Sequence, residues 1–175
     1  MKNYDDVTTF WVTSATPNSH DVLDLAYFMH NGIKYKVDNK NVVLDYSLKE
    51  LEVANWLENT FGGEIYMLPR INKPDGIQTA DYLFRGEYWD LKEIVGCGKR
   101  VFEDSIKDKR KQSHNFIFEI SQSCLEKNNI LFQVGKIFSS KSTNFVDKII
   151  VKSKKKLIVV YKRKAATLRV TTNQM

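Results

Sequence analysis

The sequence predicts an α+β fold, with a central mostly antiparallel or mixed sheet of four to six strands packed against two to four helices. From Ser47 onward, helical apolar spacing and short alternating runs follow one another in the order helix, strand, strand, strand, helix, strand. The 175 residues, 42% hydrophobic and 27% charged, are typical of one globular domain with an added arm.

Three regions follow from these patterns. Residues 1–45 are predicted to be an N-terminal arm with a small hairpin, residues 46–163 the main domain, and residues 164–175 a flexible tail. No run approaches the roughly 18 apolar residues of a membrane span. The first ten residues have no apolar run, so no signal peptide is predicted.

The arm carries weak signals. Residues 1–20 show little periodicity, and residues 21–30 have the apolar spacing of a short helix. Asn31-Gly32 is a turn signal, and residues 33–37 and 42–46 flank a polar turn. These last two runs predict the small hairpin.

The main domain opens with a well-marked helix. Ser47 is a good N-cap, and Glu50 stands where a capping box needs a carboxylate. The helix is predicted from residue 48 to residue 61, where Gly62-Gly63 ends it. Glu50 has an alternative role, because its carboxylate would be a third acidic group if it pointed at the hairpin that follows.

The later elements are read in the same way. A strand at residues 64–68 stops at Pro69, and residues 101–113 read as a helix with a basic end. The remaining predicted elements are a strand at 115–121, a partly helical stretch at 125–138, and strands at 146–152 and 156–161.

Residues 79–93 predict a β-hairpin around which the domain is organised. Arg85-Gly86 suits a two-residue turn, because Gly supplies the positive φ that such turns need. The predicted cross-strand pairs are Phe84 with Glu87, Leu83 with Tyr88, Tyr82 with Trp89, and Asp81 with Asp90.

Asp81, Asp90 and Lys92 would then share one face of the hairpin. Two carboxylates about 5 Å apart repel each other, so a cation is expected between them. Lys92 is one candidate and a divalent metal is another. Asp followed by Asp-x-Lys is typical of metal-assisted phosphodiester cleavage, whereas a surface Asp90–Lys92 ion pair in a structural hairpin is the alternative.

Charge divides the chain into two halves. Residues 1–98 contain 9 Lys and Arg against 15 Asp and Glu, whereas residues 99–164 contain 17 against 6. A basic half beside a carboxylate site favours a polyanionic partner, although a solvated lysine-rich surface would have the same composition. The predicted nucleic-acid-binding residues are Lys99, Arg100, Lys107, Lys109, Arg110, Lys111, Lys154, Lys155 and Lys156.

Cys97 and Cys124 have no metal-site spacing and weakly indicate a reducing compartment.

The segments LP at residues 68–69, DYLFRGEYWDLK at 81–92 and QSHNFIFEIS at 112–121 carry a resemblance to a known family. Over about residues 45–163, the chain resembles the C-terminal tRNase domains of contact-dependent inhibition (CdiA) toxins and related domains at the ends of phage minor head proteins. The resemblance implies RNA cleavage, most often of tRNA, an immunity protein as partner, and action in the cytoplasm of the producing or target bacterium.

Two mechanisms fit this resemblance. Relatives with the barnase/EndoU/colicin/RelE-like fold need no metal, and a base and an acid near a 2′-hydroxyl suffice. His114 and Gln112, at the start of the NFIF strand, are the candidate catalytic residues there. The element order also resembles the PD-(D/E)XK nuclease core, in which Asp81 and Asp90, with Glu50 as a third candidate ligand, would hold Mg²⁺ or Mn²⁺ and Lys92 would assist. The chain departs from that pattern at Ala80, where Pro is expected.

The function expected from the sequence is therefore an endoribonuclease toxin domain that cleaves tRNA. Two alternatives remain at this stage: a metal-dependent PD-(D/E)XK-type DNA endonuclease, and a nucleic-acid-binding module without catalysis.

Overall fold

A computed structural model describes residues 2–165 of the chain and places a mixed eight-stranded sheet at its centre. The strands are β1 (Tyr4–Asp6), β2 (Val22–Asp24), β3 (Tyr27–His30), β4 (Ile33–Lys36), β5 (Val42–Val43), β6 (Ile65–Met67), β7 (Arg70–Ile71), β8 (Tyr82–Phe84), β9 (Glu87–Gly96), β10 (Asn115–Ser123), β11 (Lys148–Ser153) and β12 (Lys156–Arg163). The helices are α1 (Thr8–Thr13), α2 (Leu48–Phe61), α3 (Val101–Ile106) and α4 (Lys127–Ile137). Residues 166–175, most of the predicted tail, lie outside the described part.

The strand order in the large sheet is β1-β12-β11-β10-β9-β8-β6-β2. Strands β6, β8 and β9 form an antiparallel meander, and β9, β10 and β11 run parallel. The predicted α+β class and core order are confirmed. The sheet is larger than predicted because β1 and β2, from the N-terminal segment, add a strand at each edge.

The N-terminal segment differs from its prediction in three ways. The expected helix at residues 21–30 is wrong, because β2 pairs with β6 and β3 pairs with β4 across Asn31-Gly32. The hairpin expected from residues 33–37 and 42–46 is also wrong, since β5 pairs with β7 instead. Residues 1–20 contain β1 and α1 and are not a bare loop. Pairing with distant strands overrides the local spacing. The division at residue 45 stays a prediction.

Helices cover both faces of the sheet. Trp11 from α1 and Phe61 from α2 pack with Phe84 and Trp89 of the hairpin on one face. On the other face, α3 and α4 pack against β10 and β11. The two small sheets bury a third cluster of Phe28, Val42, Leu68, Ile71 and Ala80 against Leu83.

Helix α2 begins and ends as the sequence predicts. Ser47 Oγ accepts from the Glu50 N–H at 3.1 Å, and the Glu50 carboxylate accepts from the Ser47 N–H, which completes the capping box. Gly62 has φ +67° and lies against Thr16, so a side chain there would overlap the Thr16 carbonyl.

Helix α3 is shorter than predicted. It ends at Ile106 rather than continuing to residue 113, and turns at Lys109 and Ser113 lead into β10. Cations crowded at residues 107–111 disfavour a further helical turn, because like charges three and four residues apart repel.

Cys97 and Cys124 form a disulfide with 5.3 Å between their Cα atoms. They directly follow Gly96 and Ser123, which are paired at the carboxyl ends of β9 and β10. The pairing removes the basis for inferring a reducing compartment from these cysteines.

Within residues 2–165, no helix is long and apolar enough to cross a membrane.

Candidate active site

The β8–β9 hairpin has the predicted turn and register. Arg85 and Gly86 both have positive φ, 51° and 76°, as a two-residue type I′ turn requires. The paired residues are Tyr82 with Trp89, Leu83 with Tyr88, and Phe84 with Glu87. The hairpin therefore places the two halves of the acidic motif beside each other.

Asp81 lies just before β8, so the predicted ladder pair between Asp81 and Asp90 is not part of the register. Its backbone N–H donates to the Trp89 carbonyl at 3.0 Å instead. Its carboxylate Oδ2 accepts from the Leu91 N–H at 2.7 Å. The two bonds fix the backbone and the carboxylate of Asp81 beside residues 89–91 of β9.

Asp90 is fully buried in β9. The Lys92 ammonium, on the same face, contacts its carboxylate, and the Lys92 side chain is 17% exposed. Apart from that ion contact, neither carboxylate oxygen of Asp90 accepts a hydrogen bond within the described residues. Buried carboxylates nearly always have such partners, so Asp90 retains unused capacity to bind a cation.

The neighbours of this pair explain its electrostatics. Phe116 lies beside Asp90, and Phe118 lies beside Lys92, in the parallel strand β10. Both aromatic residues are fully buried, and they keep water away from the carboxylate. A buried charge without enough partners is destabilised relative to its neutral form.

The pKa values of both acids are raised. Burial, then the charge of Asp90, raises the pKa of Asp81 to about 8, against a smaller opposing effect of the Leu91 N–H. Burial also raises the pKa of Asp90, although Lys92 and Lys109 oppose this. Two interacting acids in one dry site hold a proton between them at neutral pH unless a cation replaces it.

Glu50 reaches this site only through its charge. Its carboxylate closes the α2 capping box and accepts from Arg70 Nη2 at 2.9 Å. The Tyr82 hydroxyl binds the Glu50 backbone carbonyl at 2.9 Å, and the Glu50 charge contributes to the raised pKa of Asp81. In the described residues, no group of three or more His, Cys, Asp or Glu side chains is placed to hold a metal ion. The geometry thus gives no support to Glu50 as a third ligand.

Asp81 and Asp90 nevertheless fit a divalent cation of the Mg²⁺ class. Such ions keep most of their waters and are held by one or two carboxylates together with substrate phosphates. Such an ion would give a partner to the Asp90 oxygen that Lys92 does not contact, and it would lower the raised pKa of Asp81.

The other two candidate catalytic residues lie in a separate cleft of about 400 Å³. His114 is half-exposed, and its Nδ1 lies 3.5 Å from Asp147 Oδ2. Gln112 lines the same cleft, together with Tyr88. Asp147, from the segment before β11, escaped sequence reasoning because 33 residues separate it from His114 and no local motif links them.

The predicted basic residues lie at opposite ends of the parallel strands β9, β10 and β11. Lys107, Lys109, Arg110 and Lys111 lie before the amino end of β10, and the Lys109 charge lowers the pKa of Asp90. Lys99 and Arg100 follow the carboxyl end of β9, and Lys154, Lys155 and Lys156 form the β11–β12 turn. Because β9, β10 and β11 are parallel, only the first group lies at the strand ends nearest Asp90.

Comparison with known proteins gives two matches. Residues 78–157 match the family model described as the contact-dependent growth inhibition CdiA C-terminal domain. The structure resembles a chain of a CdiA-CT/CdiI toxin and immunity complex from Burkholderia pseudomallei, with a TM-score of 0.51 and 18% identity over 79% of this chain and 98% of the other. No curated protein matches the sequence.

Proposed function

We propose that the chain, whose residues 78–157 match the CdiA C-terminal domain family model, is a toxin domain with metal-assisted endonuclease activity. The observation that carries the proposal is the buried Asp90 carboxylate, whose Oδ2 contacts Lys92, whose Oδ1 has no hydrogen-bond partner among the described residues, and which lies beside Asp81. This site has the composition typical of metal-assisted phosphodiester hydrolysis.

Asp81 and Asp90 would hold the ion; the Leu91 N–H occupies only Oδ2 of Asp81, and Lys92 contacts only Oδ2 of Asp90. When bound, a divalent ion of this class activates water and neutralises charge on the phosphate. Its binding displaces the proton that the pair retains near neutral pH, so its affinity should increase up to about pH 8.

Lys92 has two tasks in this proposal. Its ammonium neutralises part of the Asp90 charge in the absence of substrate. With a phosphodiester bound, its partly exposed head orients the attacking water or donates to the developing negative charge. Lysine suits this position because its ammonium can donate in several directions.

The proposed substrate is RNA, tRNA first, and this part rests on the family. The basic segment at residues 107–111 supports a polyanion near Asp90, but it does not distinguish RNA from DNA. DNA cleavage is the second candidate, favoured by the Asp81, Asp90 and Lys92 arrangement that PD-(D/E)XK nucleases also use. Catalysis in the cytoplasm of a target bacterium, with a cognate immunity protein as partner, completes the proposal.

The test uses purified protein incubated with total tRNA and, separately, with plasmid DNA. Each substrate is tested with EDTA, with Mg²⁺ and with Mn²⁺, and Asp90→Asn protein is the control for contaminating nucleases. We expect tRNA cleavage that needs the divalent ion and is lost in the variant. Cleavage in EDTA would overturn the metal-assisted mechanism and direct attention to His114. Absence of cleavage under all conditions would leave a binding module.

A further inference from the structure

The cleft beside the acidic pair has features that the proposed cleavage mechanism does not use. Tyr88, which lines it, is two residues before Asp90 on the same face of β9, about 7 Å along the strand. Arg110 and His114 line it from the segment that leads into β10. The cleft is therefore next to the carboxylates but separate from them.

Two side chains of the cleft, Arg110 and His114, pack against the ring of Phe145. The Arg110 guanidinium lies 5.3 Å from the Phe145 ring centre, and its Nη2 donates to Asn144 Oδ1 at 2.6 Å. The His114 ring meets the same Phe145 ring edge-on, with Asp147 at 3.5 Å from its Nδ1. Both side chains are thus oriented before any ligand arrives.

The charges of the cleft leave a positive surplus. Glu87, its second acid, is already paired with Lys148 through contacts of 2.6 and 2.8 Å. Asp147 lies 3.5 Å from His114 Nδ1 and, among the described residues, makes no ion pair with Arg110, whose guanidinium donates to Asn144. Arg110 and Lys111 therefore remain to bind an anion, and a guanidinium fork matches phosphate oxygens.

Tyr88 supplies a surface for a flat apolar group. Its ring stacks on Phe28 with centroids 5.4 Å apart, yet the residue remains 38% exposed. Burial raises the pKa of Tyr88, so its hydroxyl stays neutral and able to donate. An exposed, fixed aromatic ring beside a guanidinium is the arrangement that binds a base and its phosphate in single-stranded nucleic acids.

We propose that this cleft binds the nucleotide next to the scissile phosphate, with Arg110 and His114 on its phosphate and Tyr88 against its base. The proposal rests on the proposed nuclease function and adds where the strand is held. A volume of about 400 Å³ is sufficient for one nucleotide.

The test measures binding in the full chain carrying Asp90→Asn, so that cleavage does not interfere. The probe is a fluorescein-labelled single-stranded RNA hexamer, followed by fluorescence anisotropy over a salt series. Tyr88→Leu is compared with Tyr88→Phe, which keeps the ring. Arg110→Gln is compared with Lys127→Gln, which removes an exposed cation at the start of α4, beyond the far end of β10.

We expect Tyr88→Leu and Arg110→Gln each to weaken binding about tenfold, the effect of losing one stacked base or one phosphate contact. The two matched controls should stay within about twofold. Arg110→Gln should also reduce the salt slope by about 0.7, the value for one phosphate on a single strand.

The proposed nucleotide site would be refuted if each variant bound the hexamer as tightly as its matched control, or if the Asp90→Asn protein did not bind the hexamer. A misfolded Tyr88→Leu protein would leave the exposed Arg110 pair to decide. Cleavage is measured separately with unmodified Asp90. A chain that cleaves tRNA but shows no difference between the pairs refutes the cleft alone. A chain that binds with the expected differences but cleaves nothing refutes the nuclease.

Discussion

The sheet contains two acid–lysine pairs in which the carboxylate is buried, and they differ in hydrogen bonding and in the exposure of the lysine. In one, Glu119 on β10 contacts Lys152 on β11, and the residues are 3% and 0% exposed. In the other, Asp90 contacts Lys92 on β9. Glu119 is three residues beyond Phe116, the neighbour of Asp90, so the two pairs lie on opposite faces of the sheet.

The difference lies in hydrogen bonding. Oε1 of Glu119 accepts from the N–H of Ser121 at 2.9 Å and from that of Lys154 at 3.2 Å, and also from the Ser121 hydroxyl. Burial alone would raise the pKa of Glu119, but the bonds from Lys152 and Ser121 outweigh it and lower the pKa. The pKa of Asp90 is raised instead. A buried ion pair with every oxygen satisfied is structural, whereas one with free oxygens is a candidate site.

The largest expected effect separates the two pairs by activity. Asp81→Asn, Asp90→Asn and Lys92→Ala should each reduce cleavage by about 10³-fold, the scale on which catalytic groups act. Glu119→Gln should reduce it only in proportion to the folded fraction. Cleavage rates are measured beside circular dichroism of each variant. Full activity in a folded Asp90→Asn protein would remove Asp90 from the site.

The next largest effect separates the pairs by stability. Glu119→Gln leaves the Lys152 charge buried and unpaired, so the free energy of unfolding should fall by about 3–5 kcal/mol. Asp90→Asn should raise the melting temperature of the cation-free protein, because it removes one of two mutually repelling acids. Urea denaturation of both variants measures the free energy of unfolding, which should fall for Glu119→Gln and rise for Asp90→Asn.

The matched control is the double variant Glu119→Gln with Lys152→Met, which should regain much of the lost stability by removing the stranded charge. A loss as large in the double variant as in the single one would mean that the Ser121 and Lys154 bonds, rather than the charge, are what matters there.

A third test uses pH and a cation. The unfolded Asp81 pKa is near 3.9, and the folded value is about 8. Between these values the folded chain retains a proton that the unfolded chain has lost, so this group makes the free energy of unfolding fall as pH rises from about 4 to 8. The excess melting temperature of Asp81→Asn over wild type should therefore increase from pH 5 to pH 8.

Mg²⁺ or Mn²⁺ should offset the same loss. At one hundred times its Kd at pH 8, the ion should stabilise wild type by about 2.7 kcal/mol, and the same concentration should stabilise it less at pH 6, where its Kd is higher. Glu119→Gln should keep this response and Asp90→Asn should lose it. An equal response of both variants would place the ion elsewhere.

The contrast between the pairs also shows what sequence could predict. The hairpin was readable because Arg85-Gly86 and the flanking alternation are local signals, and they place Asp81 near Asp90 and Lys92. The difference from Glu119–Lys152 was not readable, since its satisfying bonds join residues up to 35 positions apart. The N-terminal strands were missed for the same reason, because β1 is defined by its pairing with β12 across the whole chain.

The smallest expected effect concerns Lys109, whose charge acts on Asp90 from a neighbouring segment. Its charge lowers the pKa of Asp90, so Lys109→Gln should raise that pKa. A divalent ion that displaces one proton adds positive charge to the site, and Lys109 repels that charge, so Lys109→Gln should strengthen cation binding. An effect of about 0.3 to 1 kcal/mol is expected for a partly exposed charge, and it should shrink at high salt. The matched control is Lys107→Gln, in the same segment, whose partner is Asp104 at 3.6 Å in an exposed ion pair. Titrating Mn²⁺ stabilisation at pH 7 in low and high salt measures both variants. If Lys109→Gln and Lys107→Gln give the same cation affinity, the basic segment acts on the acids only as a diffuse positive charge, and Lys109 has no special place beside Asp90.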